Sequence, residues 1–324
     1  MPSASIVIRC YNEERQIGRL LHGIIQQTVK DVEIIVVDSG STDATVSVAS
    51  RFPTKIISIN PNEFSFGRSM NFGCKAASSD FIVAASAHVY PVYTDWLEKL
   101  LRPFKDSDIG LVYGKQIGDK STKYSEHQIL STWFPDKSNF NQPHPFCNNA
   151  NAAIRKSLWL RIPYDESLTG LEDLDWANRV MQVGLRIAYE AKAEVVHVHD
   201  EDPLQTYNRY LREAIALKKI FPREHFHFGD FLRLFFRNLF TDYLDASREG
   251  VILKHFREIF TFRLMQFWGT YQGFSQSGPI SNHLRKTFYY PNQNGKRPQN
   301  SMVFQENRPL VDYQSGERSF RRNR

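Results

Sequence analysis

The stretch Val32 to Asp43, VEIIVVDSGSTD, runs almost unbroken apolar and β-branched residues into a small polar turn bounded by two acids. A run of that length and composition suits a strand buried on both faces, and such strands belong to parallel sheets covered by helices. The flanking sequence repeats the alternation. Ser5 to Arg9 reads as a strand, and Glu13 to Thr28 carries Ile17, Leu20, Leu21, Ile24 and Ile25 at helical spacing. Beyond the turn, Ala44 to Phe52 returns to helical spacing, Lys55 to Ile59 is a third strand, Gly67 to Ala77 a helix and Phe81 to Ala85 a fourth strand. This order predicts an α/β fold with right-handed crossovers. Ligands of such sheets gather at the carboxyl ends of strands, so Arg9 to Asn12, Asp38 to Asp43 and Ser86 to His88 are expected to converge.

From Thr94 onward the pattern is mixed. The spacing predicts a helix over Trp96 to Phe104, a strand over Gly110 to Lys115 and a long polar loop from Ser121 to Cys147. Asn148 to Ala153 with an adjoining helix follow, then a helix opening at Gly170-Leu171-Glu172-Asp173-Leu174-Asp175-Trp176 and a strand over Ala193 to His199. Between Phe228 and Phe274 the composition turns aromatic and basic, and beyond Gly278 it turns polar, which predicts a flexible tail. Hydrophobic residues make up 41% of the 324, enough for a large core, and the formal charge is +6. Much of the basic excess lies beyond Gly278, so charge gives no support to nucleic-acid binding. Cys10, Cys74 and Cys147 are widely separated, with no CxxC pair, which points to a reducing compartment. With no signal-peptide pattern and no apolar run of membrane-spanning length, the expectation is a cytoplasmic protein whose membrane contact, if any, is at a surface.

Three groups of residues carry chemistry. Asp38 stands at a strand tip, where its carboxylate could accept from a base N–H or a ribose hydroxyl while Ser39 and Gly40 admit close approach. It equally suits a strand-to-helix turn in which Thr42 or Asp43 caps the next helix. Glu172 and Asp173, at a helix start, could supply a general base, or could be the ordinary N-terminal preference for acids. His197 and His199 alternate on a strand and so share a face; such a pair can ligate a divalent ion or can be structural. His88, at the tip of VAASAHVYP, adds a third imidazole at a strand end.

In this order and spacing, SIVIRCYNEE, VEIIVVDSGSTDAT, FSFGRSMNFGCKAASSDFIVAASAHVYP, NNANAAIRKSLW and GLEDLDWANRV resemble a family 2 glycosyltransferase of the GT-A fold, of the bacterial rhamnosyltransferase-like kind. The resemblance covers residues 3 to about 220, and weakly GTYQGF. It implies a GT-A nucleotide-sugar-binding domain over residues 1–222, with a mostly parallel mixed sheet flanked by helices. Amphipathic helices over 223–275 and the polar tail over 276–324 follow. It also implies an inverting enzyme that moves a sugar from a nucleotide diphosphate-sugar to a glycan or lipid-linked acceptor in bacterial surface polysaccharide synthesis.

By the same resemblance, Asp38 and Ser39 would hold the nucleobase, with Tyr11, Asn12 and Glu13 around base and ribose and Arg68 and Asn71 near the diphosphate. Asp173 would be the base that deprotonates the acceptor, beside Glu172, and Asn148, Asn149, Asn151 and Trp176 would line the sugar or acceptor side. Ser86-Ala87-His88 occupies the place of the family's Asp-x-Asp, so neither acid of that motif is present. His88 with His199 or His197 could bind a divalent metal in its stead, Mn²⁺ in preference to Mg²⁺, because imidazole suits manganese better. A metal-free mechanism is the alternative, with His88 or Arg68 donating to phosphate. The missing motif also admits a non-catalytic relative that binds a nucleotide sugar or serves as a scaffold, against which the retained Glu172-Asp173 pair argues. A nucleotidyltransferase would need a Gly-rich basic N-terminal loop that the sequence lacks. Arg233, Arg237, Lys254, Arg257 and Arg263 among aromatic residues fit either helices packed on the domain or a peripheral contact with anionic lipid on the inner face of the cell membrane.

Overall fold

The computed structural model describes residues 3–275 and 308–314. The first four strands, β1 (Ala4–Cys10), β2 (Val32–Asp38), β3 (Thr54–Ser58) and β4 (Phe81–Ser86), alternate with helices α1 (Ile17–Ile25), α2 (Thr45–Ala49) and α3 (Phe66–Ala76). There follow β5 (Val89–Pro91), α4 (Trp96–Leu101), β6 (Ile109–Ile117), α5 (Tyr124–Trp133), β7 (Asn151–Arg155), α6 (Lys156–Arg161), α7 (Glu172–Gln182) and β8 (Arg186–His197). Three long helices complete the described chain: α8 (Pro203–Ile220), α9 (Phe228–Arg248) and α10 (Ile252–Ser275). The strands form one sheet in the order β3-β2-β1-β4-β7-β6-β8-β5. The first four are parallel, β7 runs antiparallel to both its neighbours, β6 and β8 are parallel, and β5 is antiparallel to β8. This is the mixed, mostly parallel sheet expected.

Alternation along the strands sorts their side chains between two cores. Ile6, Ile8, Ile34 and Val36 face a cluster that includes Leu20, Leu21 and Ile24 of α1 and Trp96 of α4. Val7, Ile35 and Val37 face the opposite cluster, with Met70 and Cys74 of α3 and Trp176 of α7. Both faces are covered, which is why these strands read as continuous apolar runs; each such side chain contributes about 1.5–3 kcal/mol on burial. The approach of α3 to the sheet requires Gly73, where an added Cβ would lie 2.2 Å from a Val7 methyl.

Residues 223–275 have no core of their own. Phe231, Leu234, Phe235, Ile259 and Phe267 belong to the same cluster as Val7 and Ile35. Helix α10 lies close along α8 because Gly269 and Gly273 leave room for the backbone of Tyr207 and Leu211. A buried ion pair, Arg263 (2% exposed) with Asp242 (0%) at 2.7 Å, ties α10 to α9, and Ser125 of α5 donates to the same carboxylate at 2.7 Å. Arg263 is therefore an internal brace, whereas Arg233, Arg237, Lys254 and Arg257 are exposed, as are Arg223 and Arg248.

Three elements differ from expectation. The first helix spans only Ile17–Ile25, because the N–H groups of Asn12 and Glu14 bond across to the loop after β2 and that of Glu13 to Thr45 at the start of α2. The polar loop from Ser121 contains α5, whose buried face is Tyr124, Ser125, Glu126, Gln128 and Leu130. A helix that buries polar groups shows no apolar stripe, so periodicity misses it. Strand β8 starts at Arg186 and ends at His197, earlier at both ends than the predicted strand. The flexible-tail expectation lies outside the described residues except at 308–314. There Arg308 pairs with Asp95, Val311 N–H donates to Val92 O at 3.0 Å and Tyr313 Oη donates to Pro91 O at 2.6 Å, extending the sheet edge beside β5.

Candidate functional site

The carboxyl ends of β1 and β2 are stitched together by their own loops. Asp38 accepts from the N–H groups of Gly40 (3.0 Å) and Ser41 (3.1 Å), and Gly40 takes φ +88°, a conformation that favours glycine. Asn12, itself at φ 55°, accepts from Thr42 N–H at 2.8 Å and donates its own N–H to Ser41 Oγ at 2.9 Å. Asp43 accepts from Thr45 N–H at 2.9 Å and from Glu14 N–H at 3.1 Å. Tyr11 stands exposed beside this frame and Ser39 is buried within it. The strand-to-helix turn is thus present, with Asp38 at its centre, but the N-cap of α2 is Ala44 rather than Thr42 or Asp43.

On the opposite side, Leu171 precedes α7 in the left-handed region (φ 55°), which costs a non-glycine residue about 1–2 kcal/mol. The strained step delivers Glu172 and Asp173 into the interior. Arg9, the charged residue at the end of β1, donates to Glu172 Oε1 at 2.6 Å, and Asn149 Nδ2 donates to the same oxygen at 3.3 Å. Asp173 is 9% exposed and accepts from the N–H groups of Asn149 (2.9 Å) and Leu174 (2.8 Å). Burial and the neighbouring Glu172 carboxylate push its acid up to about 7, against the pull of those two N–H groups and Arg9. A carboxylate so tuned can take a proton near neutrality.

The three histidines come together. Among the described residues, His88, His197 and His199 form a cluster with one nitrogen from each, all within 4.8 Å of one another. His88 Nδ1 lies 2.6 Å from Glu13 Oε1, His197 Nδ1 lies 2.6 Å from Gln116 Oε1, and the Nε2 atoms of His197 and His199 are 2.9 Å apart. Two nitrogens at that separation can both lie at roughly 2.1 Å from one ion. On its outer side, His199 Nδ1 meets Arg209 Nη1 at 3.0 Å and Glu126 Oε1 at 3.2 Å. Burial lowers the basicity of His197 and His199 well below the ordinary imidazole range; Arg209 and the neighbouring imidazoles lower it further. Neutral imidazoles with outer nitrogens engaged and inner ones converging suit a borderline divalent cation.

Other residues singled out from sequence lie elsewhere or are already committed. Arg68 pairs with Glu63 (3.2 Å) and Glu166 (3.3 Å) at the surface. Asn71 donates to Tyr164 O and Glu166 and accepts from Trp159 Nε1 and Tyr164 N–H, a brace between α3 and the loop after α6. Trp176 and Asn151 correct the expectation that they line a sugar. Both are fully buried; Trp176 donates to Ile162 O, and Asn151 binds Trp96, Lys115 O and Ala193 O, so neither side chain can reach a ligand. Asn148 is half-buried and accepts from Ala150 N–H, while Asn149 is buried against the acids. Ser86 ends β4 and Ala87 links it to His88, with Ala87 N–H donating to Arg9 O at 3.2 Å. Sequence reasoning missed Gln116, Glu126, Glu201 and Arg209. Arg9 alone carried a signal, a charge at the end of an apolar strand.

Residues 5–162 match the family model described as glycosyl transferase family 2. O-antigen chain rhamnosyltransferase WbaN of Salmonella anatum is 30% identical over 228 residues, 66% of this chain and 72% of that protein. O-antigen chain rhamnosyltransferase RfbN of Salmonella typhimurium is 28% identical over 65% of this chain and 71% of that protein. Among solved structures, the mannosyltransferase PcManGT from Pyrobaculum calidifontis in complex with GDP-Man and Mn²⁺ aligns with a TM-score of 0.55 at 18% identity, covering 84% of each chain. S. aureus TarS 1-349 in complex with UDP aligns at 0.53 and 17% identity, covering 96% of this chain and 99% of that one. At such identities the two structures establish the fold alone.

Proposed function

The chain belongs to glycosyl transferase family 2 and is a glycosyltransferase, and on that premise we propose that it transfers a sugar with inversion from a nucleotide diphosphate donor to a glycan or lipid-linked acceptor of a bacterial surface polysaccharide. The sugar we assign first is rhamnose, after the names of the Salmonella relatives. The observation that carries the reading is Asp173: a buried carboxylate with its acid pushed up to about 7, held at a strained helix start beside strand ends. In this role Asp173 takes the acceptor hydroxyl proton as the oxygen attacks the anomeric carbon, and the bond to the donor diphosphate breaks on the opposite face. Glu172, locked to Arg9, positions Asp173 and raises its basicity. The frame of Tyr11, Asn12, Asp38 and Ser39 is proposed to receive the nucleoside, and Asn148 to face the acceptor.

The three histidines fit a divalent cation, Mn²⁺ in preference to Mg²⁺, which favours oxygen ligands. When bound there, such a cation supplies positive charge against the leaving diphosphate. Glu13 and Gln116 orient His88 and His197 toward it. We take residues 1–222 as the catalytic domain and the α9–α10 hairpin as its appended support. No helix among the described residues is long and apolar enough to cross a membrane. The hairpin nevertheless exposes Phe236, Phe240, Phe256 and Phe260 beside Arg233, Arg237, Lys254 and Arg257, a composition suited to resting on anionic lipid.

The test is a panel of nucleotide diphosphate sugars, scored first by protection against thermal unfolding and then by release of nucleoside diphosphate with Mn²⁺ and lipid-linked acceptors. Release from one donor, rhamnose-bearing in the first instance, is expected. Tight donor binding with no release under any condition would instead favour the scaffold.

A further inference from the structure

We infer that Arg209 and Glu126 form a latch on His199: Arg209 holds the imidazole in the tautomer that closes the three-histidine site, and Glu126 accepts the alternative tautomer that opens it to a cation. The inference rests on the proposal that these histidines hold a divalent ion. Its basis is the direction of the hydrogen bonds. Arginine has donors only, so an Arg209 Nη1 at 3.0 Å from His199 Nδ1 makes that nitrogen the acceptor. A neutral His199 then carries its proton on Nε2, which points at His197 Nε2 at 2.9 Å. His197 accepts there and donates from Nδ1 to Gln116 Oε1 at 2.6 Å. The result is one chain of donors running Arg209, His199, His197, Gln116, in which both inner lone pairs are withheld.

Ligation through His199 Nε2 requires the ring to give up that proton and carry one on Nδ1 instead. The acceptor for the new N–H is already in place, since Glu126 Oε1 lies 3.2 Å from Nδ1. The ring loses the Nε2 proton to water and gains one from water at Nδ1, so no net charge moves. Arg209 must surrender only its Nη1 bond. It remains anchored by the Nη2 hydrogen bond to Glu126 at 2.7 Å, with the Glu201 carboxylate 3.0 Å from Nε as a charge partner whose geometry makes no hydrogen bond. Among the described residues Glu126 Oε2 is buried without a hydrogen-bond partner, so this carboxylate has accepting capacity to spare. The other two histidines need no such exchange, because their Nδ1 atoms already face acceptors on Glu13 and Gln116. His199 is thus the one ligand of the three whose outer nitrogen is contested, and Glu126 and Arg209 are positioning residues acting through it.

The experiment uses the full chain freed of metal by chelator, titrated with Co²⁺ and followed by its visible absorption, with thermal unfolding of the metal-free protein as a control. Glu126→Ala, and Glu126→Gln as the gentler variant, should weaken Co²⁺ binding by about 10- to 100-fold. Arg209→Lys keeps a charge for Glu126 but loses the N–H aimed at Nδ1, and should tighten binding several-fold. A purely structural ion pair predicts that both changes weaken binding together, and that outcome overturns the latch. Imidazole ¹⁵N spectra supply the second readout: His199 protonated on Nε2 without metal and on Nδ1 with Zn²⁺. A metal-free His199 already protonated on Nδ1 overturns the latch while leaving the site intact. Wild-type protein that binds neither ion removes the metal site itself, and the latch with it.

Discussion

The two ends of the sheet hold their polar groups in opposite ways. At the β1–β2 end, the loop after β1 bonds to the loop after β2, and the groups involved are largely exposed: Asn12 with Ser41 and Thr42, Glu14 with Asp43. At the β8–β5 edge, His88, His197 and His199 are held by Glu13, Gln116, Glu126 and Arg209, drawn from segments spread from residue 13 to residue 209, and much of that set is buried. Water can replace a lost partner in the first frame and cannot in the second, because an unpaired buried polar group keeps its full desolvation cost. The first end should therefore tolerate single changes that the second does not.

Asp173, which accepts from Leu174 of its own helix and from Asn149 just before the antiparallel strand β7, is where a change should be felt most. Asp173→Asn is expected to lower kcat by about 10²- to 10⁴-fold while donor protection against thermal unfolding is retained. Comparable turnover would remove it from the role of base. Its acid, pushed up to about 7, also fixes two pH dependences. Activity should rise with pH through about 7 as the base loses its proton. Stability should move the other way: the folded chain holds this proton more tightly than the unfolded one, whose value is near 3.8. The contribution is full below that value and is lost as pH climbs through about 7, so the Asp173→Asn chain should melt higher than wild type at pH 8.

Next in size is Asp242→Ala, which strands the Arg263 charge between α9 and α10 and should cost about 3–5 kcal/mol by denaturant unfolding. Because Ser125 shares that carboxylate and Glu126 follows it on α5, the same change should also weaken Co²⁺ binding at the histidines. Gly73→Ala, in the first half of the sheet, forces α3 off Val7 and should cost about 1–3 kcal/mol with metal binding untouched. Smallest is Ser41→Ala in the exposed loop frame, expected to cost about 0.5–1.5 kcal/mol or less and to leave the pH profile unchanged. If Ser41→Ala proved as damaging as Asp242→Ala, the contrast between the two ends would fail.

The part of the fold that could be read from the chain is the part built by short-range rules. Strand alternation between two cores, the Asp38 turn and the acids opening α7 all follow from spacing within a few residues, and all are present. Helix α5 escaped because its buried face is polar, and Trp176 and Asn151 were given to the site by the resemblance, which does not tell which side of a helix or strand faces the interior.

By itself, the sequence determined the alternation of the first four strands with their helices, the family, and the presence of one imidazole, His88, where an acidic motif would stand, with two more on a later strand. Tertiary structure alone decided that those imidazoles meet, which nitrogen of each points inward, and that a glutamate and an arginine compete for one of them. The reason is physical: backbone pattern is set by neighbours in the chain, whereas protonation and hydrogen-bond direction at a buried site are set by neighbours in space.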